Sequence, residues 1–287
     1  PGNNTFLRGD NSWATPSDTS LTLNNNAANR VVAGTGTTNT MDAQANLLFD
    51  GNEMTVQGTP VVVGTNSSSV LDLKNTNSSA DGRAVGIAFS TNTGGSANAH
   101  ITAVQDASAK GTLNFGGYDG TSTRNIVMSV DAGTGTVTKP LQPCFLVRPS
   151  GDQASLPTGD TTVAWGAEIF DVGANFASNT FTAPVTGKYQ FNVSLYLSFI
   201  DIDTTLFELY MVASNRTQRL MAINPAKDFT ADSNSLQSMN ASTILDMDAS
   251  DTIYAFISVT GGGGVTRLNG TAPSSQFYTS WSGALIC

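Results

Sequence analysis

Residues 187–197, GKYQFNVSLYL, set Tyr189, Phe191, Val193, Leu195 and Leu197 at every second position, with Lys188, Gln190, Asn192 and Ser194 between them. Side chains of an extended strand point alternately to opposite faces, whereas a helix needs apolar residues at a period near 3.6. The order therefore predicts a long strand with one face buried. LFELYMVAS, QRLMAI, STILDM, DTIYAFISV and FYTSWSGALIC repeat it. About eight such strands predict a sandwich or jelly roll able to bury a core alone.

Upstream of Pro140 to Pro143 the pattern thins. LTL, NLLF, MTVQG, VVVG, VLDLKN, VGIAFS, HITAV, TLNFGG and NIVMSV are separated by Gly, Asn, Ser and Asp, and each holds only one or two large apolar side chains. Short β elements with thin cores need a partner over their open face and edges. The expected chain is all-β: residues 1–140 form shaft modules that share a core among identical copies wound as a trimer, and residues 141–287 form the jelly-roll head. A joint is expected at 6–16 and a sub-boundary near 60–70.

Composition removes several classes. With 39% hydrophobic and only 12% charged residues the chain lacks the disordered signature. Its net charge of -9, with 13 basic residues scattered along it, gives no stripe for nucleic acid. No apolar run is long enough for a bilayer, so membrane insertion is not expected, and no charged-then-apolar leader opens the sequence. A chain starting at Pro1 is expected to be a piece of a longer protein. Two cysteines, Cys144 and Cys287, are too few for a disulfide scaffold, so packing must supply the stability.

Two resemblances emerge. Asn175-Phe176, Phe181-Thr182-Ala183-Pro184, Gly187, Tyr189-Gln190-Phe191 and Ser282-Gly283-Ala284-Leu285 make residues 144–287 resemble the complement-globular-head branch of the tumour necrosis factor-like jelly rolls, which implies trimers. No Gly-X-Y repeat precedes them, which disfavours the animal complement architecture. FLRGDNSWATP, ANRVVAGTGTTNTMDAQANLLFDGNEMTVQG and NIVMSVDAGTGTVT are similar to modules of bacteriophage tail fibres, particularly those of marine cyanobacterial hosts. The resemblances imply the distal part of a fibre, assembled in the host cytoplasm, placed on the virion and joined to other virion proteins through what precedes Pro1. Arg8-Gly9-Asp10 then resembles a shaft joint, with Gly9 allowing the turn and Trp13 anchoring it, rather than a cell-attachment signal. In the jelly-roll family the first and last strands are antiparallel neighbours, so the resemblance implies that Cys144 and Cys287 lie close; a reducing cytoplasm favours free thiols.

Alternating strand directions send the loops 150–160, 199–205, 225–237 and 261–276 to the end away from the shaft, and the short turns near 184–187, 214–216 and 249–250 to the shaft end. Long loops on a rigid scaffold carry binding residues. The candidate receptor-binding positions are Asp152, Gln153, Asp201, Asp203, Lys227, Asp228, Asn234, Arg267 and Asn269, facing a host glycan or protein. Asp201 with Asp203, and Asp246 with Asp248, have the alternate spacing of calcium ligands; no other cofactor is expected. The lone His100 sits in a shaft strand, which argues against zinc clusters and a Ser-His-Asp triad. Trp165, Tyr278 and Trp281 have the strand settings of packing residues. The expected function is host attachment without catalysis. A purely structural fibre or decoration is the alternative reading, and a polysaccharide depolymerase with two carboxylates the third.

Overall fold

The computed structural model describes residues 6–14, 22–24, 30–34, 40–49, 54–56, 83–89, 99–105, 110–118, 124–230, 235–270 and 278–287. The chain divides into two compact units, Pro1–Thr76 and Asn77–Cys287. The expected division at 140 is a change of sheet inside the second unit. VVVG (61–64) and VLDLKN (70–75) lie outside the described residues.

In the first unit, β1 (Phe6–Leu7) and β2 (Trp13–Ala14) form a hairpin, while β5 (Thr40–Phe49) pairs with β3 (Thr22–Asn24), β4 (Arg30–Gly34) and β6 (Met54–Val56). Arg8-Gly9-Asp10 lies in the hairpin tip. The Asp10 carboxylate accepts the Ser12 amide at 3.0 Å and the Ser12 hydroxyl at 2.6 Å, and these bonds hold its pKa below the usual value. Two details of the expected joint change. The left-handed residue is Asn11, at φ 61°, rather than Gly9, because an Asn side chain tolerates that region. Trp13 is 54% exposed and lies outside the buried core of the described residues.

The second unit begins with an antiparallel sheet of β7 (Arg83–Phe89), β8 (Ala99–Gln105), β9 (Gly111–Tyr118), β10 (Arg124–Asp131) and β11 (Thr136–Thr138), in sequence order. These strands outrun the few residues expected, because Gly and Ala sit inside them where the sequence reads as turn. His100, half-buried in β8, pads the sheet: a Cβ on Gly116 would lie 2.7 Å from its ring.

Two antiparallel sheets follow, facing one another across a core. One runs β14 (Ala167–Val172), β12 (Cys144–Arg148), β23 (Ser280–Leu285), β17 (Gly187–Ser198), β20 (Leu236–Met247); the other runs β15 (Phe176–Ala177), β16 (Thr180–Thr182), β21 (Thr252–Gly261), β18 (Thr204–Ala213), β19 (Arg216–Ile223). β13 (Gly159–Thr162) adds to β21, and β22 (Arg267–Leu268) adds to β17. The alternation sets the core: Tyr189, Phe191, Val193, Leu195 and Leu197 are buried, each at 2% exposure or less. Trp281 meets Phe145 edge-on at 5.1 Å and Trp165 at 5.8 Å, so both tryptophans are core residues, whereas Tyr278 is 39% exposed and lies 5.0 Å from Tyr196. The α-helix among the described residues, α1 (Pro225–Asp228), is one turn long with Pro225 at its start.

Candidate functional site: the loop end of the sandwich

Register fixes which segments share an end. Cys144 pairs with both Val172 and Ala284, Tyr189 with Leu285, and Gly187 with Met247. The chain enters here through 139–143, and the short turns at 183–186, 214–215 and 248–251 return here. At the opposite end Arg148 pairs with Ala167, Ser194 with Ser280, Ser198 with Leu236, and Thr204 with Gly261. The segments 149–158, 199–203, 224–235 and 262–279 all leave from that opposite end.

Cross-loop hydrogen bonds tie 149–158 and 199–203 to residues 262–270. Asp201 is 4% exposed; its Oδ1 accepts the Asp203 amide at 2.9 Å, its Oδ2 accepts the Gly263 amide, and its own amide donates to Thr266 Oγ1 at 3.1 Å. Oδ1 thus closes the 199–203 turn on itself, and Oδ2 joins that turn to the glycine run 261–264. That run needs glycine: Gly261, Gly262 and Gly264 have φ between 75° and 83°, and a Cβ on Gly262 would lie 2.7 Å from Asp201 Oδ2. Buried Thr279 accepts the Tyr196 amide at 3.1 Å and donates to the Asn269 carbonyl at 2.6 Å. Satisfied buried networks of this kind fix loop geometry.

The predicted residues divide accordingly. Asp152 accepts the Gly270 amide at 2.9 Å and lies 3.6 Å from Arg267. Gln153 serves the scaffold: its backbone pairs with Leu268, and its side chain accepts the Ala164 amide at 2.8 Å and donates to the Thr162 carbonyl at 3.2 Å. Asn269 accepts the Ser198 hydroxyl at 3.0 Å. Asp228 accepts the Asn224 amide at 3.0 Å. Asp203 and Lys227 are exposed, and Asn234 lies outside the described residues. Arg267 lies 5.1 Å above the ring of Phe199, which is 40% exposed at φ 53°. Phe199 is the residue that the sequence reasoning missed; it breaks the alternation directly after Ser198, and that break was the available signal.

No group of three or more His, Cys, Asp or Glu converges among the described residues. At the shaft end Asp246 is exposed on β20, and the Asp248 amide donates to Asp251 at 2.9 Å. Both thiols are free. Cys144 stands opposite Ala284, and Cys287 lies three residues further on, its carbonyl accepting the Lys188 amide at 2.8 Å. Cys144 opens β12, and Cys287 follows the end of the neighbouring β23, three residues past the partner of Cys144, an offset of roughly 10 Å at about 3.3 Å per residue. Outside the loop end, Asp131 is held below the usual carboxylate pKa by the Gly133 and Thr134 amides, and Asp251 by the Ser214 hydroxyl and the Asp248 amide.

Strand order and connection define residues 144–287 as a jelly roll. Similar solved structures include the globular domain of zebrafish complement 1qA protein, 20% identical, covering 51% of this chain and 98% of that one at a TM-score of 0.35. Murine APRIL is 11% identical, covering 50% of this chain and 99% of that one at a TM-score of 0.36. No family model matches the chain, and no curated protein matches it.

Proposed function

We propose that this chain is the distal part of a bacteriophage fibre, carried on the virion as a homotrimer, whose jelly-roll end binds a glycan or protein of the host surface without catalysis. One observation carries the reading: the long segments leave from one end of the sandwich, three of them cross-tied over their described residues, while the chain enters at the other. A scaffold that ties its loops at one end presents a preorganised surface, which lowers the entropy lost on binding. Arg267, Phe199, Asp203 and Lys227 are among the described side chains there that stand partly or fully exposed. The similarity of residues 5–138 to tail-fibre modules supplies the viral context.

The test uses labelled full chain on cyanobacterial cells. Saturable binding, competed by unlabelled chain and weakened at least tenfold in an Arg267→Ala, Lys227→Ala double variant, is the expected result. Absence of binding to every cell that the parent virion infects would leave a structural fibre, and release of reducing sugar from host polysaccharide would establish a depolymerase.

A further inference from the structure

The five-stranded sheet β7–β11 has two unlike faces. On one, Ile87, Ile101, Phe115 and Met128 stand opposite one another across four strands. Beside them Val85, Ala103, Leu113, Val130 and Val137 form a second unbroken row across all five. The reverse face carries Gly86, Thr102, Asn114, Ser129 and Thr138 in register, with Ser129 donating to Asn114 at 2.7 Å. The polar face is the one expected to meet water, yet the apolar one is also bare: Ile87 is 44%, Leu113 38% and Val137 61% exposed.

We propose that this apolar face is the contact surface between copies of this chain, three of them turning it to a common axis with the middle strand β9 innermost. The proposal rests on the trimeric reading above and supplies the surface that the trimer uses. Three arguments select a copy as the occupant. The two apolar rows hold no Asp or Glu, although the chain carries 22, so copies of net charge -9 can approach there without opposing carboxylates. With strands about 4.8 Å apart and residues about 3.3 Å apart, the two apolar rows cover about 300 Å². A pair of such faces buries only about 600 Å², whereas three closed on an axis bury about 900 Å² in all, near the ~1,000 Å² of a specific interface. Every copy carries the same bare face, so closure about an axis removes all of them together, which a heterologous partner on one copy does not.

The full chain is examined by light scattering at micromolar concentration. A mass three times 29.8 kDa is expected, falling to a single chain in Leu113→Asp, whereas Ala88→Asp on the reverse face stays trimeric. Near-ultraviolet circular dichroism of the buried Trp165 and Trp281 shows whether the head remains folded in each. A second variant reads contact rather than stability: Leu113→Cys, in a background with Cys144→Ser and Cys287→Ser, is expected to give a covalent dimer band on oxidation, and Ala88→Cys none. A monomeric parent chain, a Leu113→Asp trimer or cross-linking from Ala88→Cys alone overturns the proposal. A trimer that binds no host cell would instead sink the receptor reading and leave this surface standing.

Discussion

Single side chains decide where this molecule tolerates change. Gly283 lies where β23 passes between two rings: a Cβ there would stand 2.5 Å from Phe145 and 2.7 Å from Phe191. Gly283→Ala is therefore expected to destabilise the chain by about 1–3 kcal/mol through overpacking, seen as a lower urea midpoint. Asp201→Ala removes an acceptor from two amides at a site 4% exposed, at a cost of about 1–3 kcal/mol. Because both oxygens already accept backbone amides, EDTA is expected to leave the melting temperature of the parent unchanged; a fall restored by calcium would support the ion reading of Asp201 and Asp203. Asp251 gives a pH signature. Its folded pKa lies below the ordinary 3.8, chiefly through the Ser214 hydroxyl at 2.5 Å. A lowered carboxylate stabilises above its unfolded pKa and loses that contribution as pH falls through the folded value. Asp251→Asn should therefore melt lower at neutral pH and converge with the parent below about pH 4.

Strands differ in how firmly they are held, and that ordering follows from pairing. β17 is matched along its length by β20 and over Tyr189–Ser194 by β23, whereas β15 makes two pairs with β16 alone. Amides of residues 189–194 are expected to be among the slowest in hydrogen exchange and those of Phe176 and Ala177 among the earliest; similar rates would remove the two-sided ladder. The same contrast explains what was legible in advance. β17 was readable because its inward residues are large and its outward ones polar. β20 was recognised only over STILDM, although it begins at Leu236, because Met239 and Ala241 are weak markers among Ser, Asn and Gln. β13, β15 and β22, of two to four residues, have no periodicity to read, which is why about eight strands were expected where more form. Loop direction was recoverable by counting strands. The ties of Gln153 and Asn269 were not, because they depend on partners remote in sequence.

At the scale of the whole molecule, the proposed function gives the two ends of the sandwich different work, linked by copy number. Arg267 and Phe199, both partly exposed at the loop end, suit shallow contacts, which are weak singly. In the proposed trimer, three such ends would turn the second and third contacts into intramolecular events, raising apparent affinity by about 10²–10⁴ where receptor spacing matches. The apolar face of β7–β11 thereby becomes a determinant of binding although it lies on a different sheet from the loops. Leu113→Asp, with every loop residue intact, is expected to lose host-cell retention by about 10²-fold in a dissociation assay, and fusion to a trimeric coiled coil should restore most of it. Retention by the single chain equal to that of the parent would mean that each tip binds tightly alone, and the shaft would then serve reach rather than avidity.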